Sequence, residues 1–419
     1  MSDSIRQDNG GAAAADRAGS LAGLRVIDLT QMLAGPFCTQ ILADHGADVI
    51  KVETMAGDGT RVTGPFLSED QARDYGGYFQ SINRNKRSIV IDLKREEGRD
   101  VLRRLIDGAD IVIENFRAGV MERLGLSYET LRQTNPRLIY GAVRGFGDPR
   151  SGVSPYADWP AYDVVSQAMG GMMGITGPDA QTPTKVGPGV GDTVPALMLC
   201  VGVLAAVHHM HRTGRGQFVD VAMTDAVLAL CERIVYQYSY TGQAPQAQGN
   251  RHPLLCPFGL FRARDGHVSI ACATDAFWEA LAGFIGRPDM ARDPAFATNA
   301  ARVQRQQQVI DAVEAFTSVR TKDEIAAVLG GRVPFGPVYT AAEIFQDEHY
   351  ARRQMLVEVE QPGACAAVQI VGVPIKLSES PGAVRRRAPL LGEHTGEVLR
   401  AAGYDEDGVV RLRAAGVVR

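Results

Sequence analysis

Short β-branched runs and amphipathic stretches alternate along the first half of the chain. Leu24-Arg25-Val26-Ile27-Asp28-Leu29 reads as a strand; a turn at Ala34-Gly35-Pro36, helical spacing over 37–45 and a strand over 48–52 follow. The pattern repeats as strand 88–93, helix 95–107, strand 109–113, helix 128–133 and strand 137–143. It predicts an α/β fold with a doubly wound, mostly parallel sheet, whose ligand crevice lies beyond the carboxyl ends of the strands. The loops after Leu29, Val52, Ile113 and Val143 are therefore the ones expected to carry function. A helix over 162–169, an apolar helix over 194–207, a strand over 217–221 and a long helix from Thr224 complete this part.

The pattern then changes. Residues 242–257 are polar and rich in Gly and Pro, which marks a linker. Beyond it, a strand over 267–273 and helices over 277–285, 308–316 and 322–329 predict a smaller α/β or α+β domain. Strands over 356–360 and 368–373 and a helix over 393–402 read as a return to the first domain. The resulting division is a leader over 1–20, a large domain over 21–223, a linker helix over 224–248, a small domain over 249–330, a linker over 331–350 and the return over 351–419.

Composition narrows the function classes. The chain has 419 residues, 45% apolar and 22% charged, enough for two well-buried cores. A formal net charge of -4 gives no general attraction for nucleic acid or an anionic membrane, so anionic ligands need local basic clusters. The 6 cysteines include no CxxC pair, so no zinc site or disulfide framework is predicted and a reducing, cytoplasmic setting is expected. Residues 1–20 lack an apolar core and are expected to be a disordered leader, not a secretion signal. The apolar run 194–207 is expected to be too short to span a bilayer and to form a buried helix.

Candidate chemistry centres on Asp192, which closes the run Gly187-Pro188-Gly189-Val190-Gly191 just ahead of the apolar helix. A carboxylate there can cap the helix or act as a nucleophile approached closely over bare backbone. His208, His209 and His211 could face a metal, but at the end of a helix they are better explained by the helix dipole, and no metal is predicted. The loop after the first strand lacks GxGxxG and no phosphate-binding Walker run is present, which disfavours a nicotinamide dehydrogenase or nucleotide hydrolase.

Several segments, in order, resemble the family III CoA-transferases, which include formyl-CoA transferase and carnitine CoA-transferase, with α-methylacyl-CoA racemase as a cousin. They are Ala34-Gly35-Pro36, Gly46-Ala47-Asp48-Val49-Ile50-Lys51-Val52-Glu53, Asn83-Arg84-Asn85-Lys86-Arg87-Ser88, Glu114-Asn115-Phe116-Arg117, Gly145-Phe146-Gly147, Tyr162-Asp163, Gly191-Asp192, Thr213-Gly214-Arg215-Gly216-Gln217 and Pro389-Leu390-Leu391-Gly392-Glu393-His394-Thr395. The resemblance implies a large Rossmann-like domain and a small domain joined by two linkers, in an interlocked homodimer. It implies Asp192 as nucleophile, forming an aspartyl anhydride and then an aspartyl-CoA thioester. It places Tyr162, Leu33 and Gly191 at the acyl pocket.

CoA enters as part of an acyl-CoA substrate, with no permanently bound cofactor, and a free carboxylic acid is the other partner. The phosphates of CoA need cations. Arg84, Lys86 and Arg87 form a cluster suited to that task, with Lys94, Arg117 and Arg123 following, and the resemblance puts Ile91, Lys94, Asn115, Phe116 and Arg123 where relatives touch CoA. Asp163 reads either as a partner of the site or as a helix cap.

Racemase relatives carry a histidine where this chain has Tyr162. A phenol near pKa ~10 is a poor base for removing a proton next to a thioester, which favours acyl transfer. Formyl-CoA transferases carry a glycine quartet where this chain has Gln248-Gly249-Asn250-Arg251-His252-Pro253, and a glutamine where it has Leu33. Oxalate and formate are therefore disfavoured. A C4–C6 dicarboxylate, its far carboxylate answered by Arg251 or His252, is expected, and 333–338 is similar to relatives acting on such acids. A racemase and a non-catalytic acyl-CoA binder remain as alternatives.

Overall fold

A computed structural model describes residues 19–419; the expected leader falls almost wholly outside them. The described residues form two units: those up to Met172, with Val186–Tyr236 and His349–Arg419, make the larger, and Met173–Lys185 with Gln237–Glu348 the smaller.

In the larger unit, β1 (Arg25–Asp28), β2 (Asp48–Glu53), β3 (Arg87–Val90), β4 (Ile111–Glu114), β5 (Ile139–Arg144) and β6 (Phe218–Ala222) form one sheet. Its order is β3-β2-β1-β4-β5-β6, and every pairing is parallel. Strand order reverses between β1 and β4, so the loops following these two strands part and open a crevice.

Both faces are covered, which is why the strands read as near-continuous apolar runs. Ile27, Ile89 and Val112 face one layer, packed by α3 (Glu96–Asp107) through Val101, Leu102, Leu105 and Ile106 and by Val398, Leu399 and Val409 from the C-terminal helices. Val26, Val49, Ile111 and Ile113 face the other layer, built from α1 (Ala34–Asp44) and α5 (Val190–Thr213). Two further helices, α2 (Gly77–Asn83) and α4 (Asp163–Met169), flank the carboxyl ends of the strands.

The apolar run 194–207 grows at both ends into α5, which stops where Gly214 takes φ 71° and returns its N–H to Met210. Contrary to the sequence expectation, this helix is long and apolar enough to cross a membrane by length and composition. Here Leu199, Val203, Ala206 and Met210 bury one side of it in the sheet layer.

Leu356–Val359 and Val368–Val371 form a separate antiparallel pair and do not extend the parallel sheet. Helices Thr395–Ala401 and Glu406–Ala414 follow, the second absent from the sequence reading.

The smaller unit holds an antiparallel sheet of β7 (Phe258–Ala263), β8 (Gly266–Ala271) and β9 (Phe335–Pro337). Helices Asp275–Phe284, Gln306–Thr317 and Lys322–Leu329 pack on it around Trp278, Val313 and Ile325.

The predicted boundaries need correction at three places. Residues 331–348 are not a linker, because β9 pairs with β8 inside the small sheet. Residues 173–185 belong to the smaller unit, where Gly177 accepts the N–H of Gly249. The long helix from Thr224 is two helices, Met223–Leu230 and Glu232–Thr241, broken at Cys231.

Candidate active site

The loops after β1, β4 and β5 and the starts of α4 and α5 enclose a cavity of about 250 Å³ in the larger unit. Leu33, Asn115, Phe116, Tyr162 and Asp192, all selected from sequence, line it together.

Asp192 sits in the first turn of α5 and does not cap it; the N-cap position is Gly189. The capping is done from a different helix. Asp163 Oδ1 accepts the Gly191 N–H at 2.7 Å, while Gln167 Nε2 donates to both Asp163 oxygens at 2.9 and 3.0 Å. Gln167 in turn accepts the Val186 N–H at 2.9 Å through Oε1. Asp163 thus occupies the anion position of the α5 N-terminus and leaves the Asp192 carboxylate free to face the cavity.

Burial of Asp192, and then the negative charge of Asp163, push its carboxyl up to about 7. The space around it is tight: a Cβ on Gly191 would run into the Asp163 carbonyl, and one on Gly189 would stand 3.1 Å from Leu33 Cδ2.

Tyr162 precedes α4 with an extended backbone and is 63% exposed at the cavity. Phe146 and Trp159 add an aromatic wall, joined through Tyr156 at ring separations of 5.5 and 4.8 Å. Tyr78, on α2, is a lining residue that the sequence reading missed. Burial, followed by the charges of Asp192, Asp58 and Asp163, raises its phenol, so it is a neutral hydroxyl donor at the site.

The basic cluster is a correction. Arg84 is spent on Asp44 at 2.9 and 2.7 Å; Arg87 holds Asp48 at 2.9 and 2.6 Å and Glu397 at 2.8 Å. Lys86 is fully buried and donates to Asp28 at 3.0 Å, the Pro36 carbonyl at 3.0 Å and Asn83 Oδ1 at 2.8 Å. Charges neutralised inside the fold cannot serve as a phosphate cradle. Ile91 is core and bridges Val418. Lys94, Arg117 and Arg123 are exposed and form no ion pair among the described residues, and Arg117 lines the cavity. Arg251 lies in the smaller unit, its guanidinium 2.8 Å from Gln307 Oε1.

The profile of CoA-transferase family III matches residues 21–395. The chain belongs to this family. Succinyl-CoA:mesaconate CoA-transferase of Haloarcula hispanica is 49% identical over 385 residues, covering 92% of this chain and 97% of that one. Succinate–glutarate CoA-transferase of Agrobacterium fabrum is 39% identical, covering 90% and 94%. Among solved structures, a CaiB/BaiF family protein from Brucella suis superposes with a TM-score of 0.82 at 35% identity, covering 92% of this chain and 100% of that one. The family III CoA-transferase is thus an enzyme that takes CoA thioesters as substrates.

Proposed function

We propose that this family III CoA-transferase moves CoA from succinyl-CoA to a second C4–C6 dicarboxylic acid through covalent intermediates on Asp192. The observation that carries the reading is the Asp192 carboxylate, freed from capping by Asp163 and held in a small cavity at the crevice. With its carboxyl near 7 it is a stronger nucleophile than an ordinary carboxylate, yet about half ionised at neutral pH.

An Asp192 oxygen attacks the thioester carbonyl; the C–S bond breaks and CoA leaves as thiolate, giving a mixed anhydride. The thiolate attacks the Asp192 carbonyl and expels succinate, leaving an aspartyl-CoA thioester. The acceptor carboxylate attacks that thioester and releases thiolate. The thiolate then attacks the acceptor's acyl carbon, which yields the new acyl-CoA and restores the Asp192 carboxylate. Each exchange conserves the energy of an activated acyl group. Exposed Lys94, Arg117 and Arg123 are suited to the CoA phosphates.

Two relatives named for succinyl-CoA with mesaconate and for succinate with glutarate support the dicarboxylate class. A racemase needs a second base, and the cavity lining offers Tyr162 and no histidine. Incubation with succinyl-CoA and no acceptor should leave a covalent mass increase on the peptide containing Asp192; its absence would overturn the reading. In a donor-by-acceptor screen C4–C6 dicarboxylates should lead.

The protein is further proposed to be a homodimer. On α5, Leu197, Val201 and Leu204 stand exposed at i, i+4 and i+7, an apolar row suited to cover by a second copy. Sedimentation at the mass of one 45.1 kDa chain would refute this.

A further inference from the structure

The two loops that part at the crevice are tied together by one side chain. Beyond the strand ends, Leu29 still donates to the Ile113 carbonyl at 2.9 Å. Two residues later the backbones separate and the Asn115 carboxamide spans the gap. Its Oδ1 accepts the Gln31 N–H at 2.9 Å, and its Nδ2 donates to the Gln31 carbonyl at 2.7 Å. This two-bond ring continues the β1–β4 ladder with a side chain in place of a strand.

The clamp is anchored on its own side. The Phe116 N–H donates to Glu114 Oε2 at 2.7 Å, and Arg144 Nε donates to the Phe116 carbonyl at 3.2 Å, while Glu114 and Arg144 form a buried ion pair. What it holds is the wall facing the reacting group. Met32, next after Gln31, has φ 65°, a left-handed conformation uncommon for a side-chain-bearing residue, and donates its N–H to Asp58 Oδ1 at 3.3 Å. Leu33 packs at Gly189, the start of α5. Both line the cavity with Asp192.

We propose that Asn115 is a positioning residue that clamps Gln31 and so holds the Met32–Leu33 wall against the start of the Asp192 helix, keeping water from the reacting carboxylate. This rests on Asp192 being the nucleophile, and it gives Asn115 a task other than touching CoA.

Asn115→Ala and Asn115→Asp in the full-length enzyme test it; the second keeps the acceptor for the Gln31 N–H but loses the donor to its carbonyl. Hydrogen exchange of the ligand-free protein should quicken about tenfold or more at the Gln31 amide in Asn115→Ala and less in Asn115→Asp. With succinyl-CoA and mesaconate, kcat should fall about 10- to 100-fold, with KM for acyl-CoA changed by less than about threefold. The acid limb of the kcat profile should move down from about 7 by about one pH unit as water reaches Asp192.

Unchanged exchange at Gln31 overturns the clamp. A raised KM for acyl-CoA, with kcat and the acid limb intact, overturns it in favour of a coenzyme contact. Failure of the Asp192 reading shows separately, as no adduct on the wild-type enzyme, and leaves the exchange result standing.

Discussion

Asp192→Asn is expected to abolish CoA transfer, lowering kcat by about 10³-fold or more, because the attacking oxygen and the anhydride both disappear. The same substitution should make the protein more stable at pH 8. Burial and Asp163 raise the Asp192 carboxyl to about 7, against an ordinary 3.8, so the folded state favours its protonated form. That contribution is complete below about pH 4 and is lost as pH rises through about 7. Above that range the wild type carries a disfavoured charge which the amide lacks. Allowing for partial solvent exposure, the variant should gain about 1–3 kcal/mol at pH 8, shrinking towards zero near pH 4. Thermal unfolding of both proteins across this window checks the sign. An inactive variant with no stability gain would mean that the carboxylate is not held at an energetic cost.

The second large effect lies beneath the cavity. Asp28 is fully buried; it accepts Lys86 at 3.0 Å, the Thr39 hydroxyl at 2.7 Å, and the Thr30 N–H and hydroxyl at 2.9 and 2.5 Å. Burial raises its carboxyl, but Lys86, Lys51 and the hydroxyl donors outweigh that and hold it near 2. Lys51 is equally buried and binds Asp58 at 2.9 Å and the Thr30 carbonyl at 2.8 Å. Asp28→Ala would leave two buried ammonium groups facing one fewer carboxylate, so a loss of about 3–5 kcal/mol is expected by urea denaturation. Pairing it with Lys86→Met removes the uncompensated charge and should recover part of the loss. A double variant no better than Asp28→Ala would show that the hydroxyl and amide bonds of Asp28, not its ion pair, hold this region.

The parallel sheet was legible because strands covered on both faces leave unbroken apolar runs between turn residues. The small sheet was less so. In β7, Gly259 and Arg262 interrupt the pattern, and Phe335–Pro337 contains a glycine and a proline, so neither announces a strand without its partner. Asp192 stood out through its glycine surroundings, but its relation to Asp163 did not: an acid ahead of an apolar helix reads as a cap, and the cap came from 28 residues away. The basic cluster was misread for a similar reason. Composition shows that Arg84, Lys86 and Arg87 are cationic, but their carboxylates lie 40, 58 and 39 residues away and meet them only after the sheet forms. Tyr78 and the Asn115 clamp likewise depend on contacts that no local pattern encodes.

The crowding at Gly191 has a practical consequence for altering which acids this enzyme accepts. Any side chain there collides with the main chain of Asp163, so substitution libraries that include this position will return mostly misfolded clones. Trp159 and Tyr162 border the cavity beside Asp192 and are 55% and 63% exposed, so size changes there are expected to leave the interior in place. Selection for new acceptors is best concentrated on that rim.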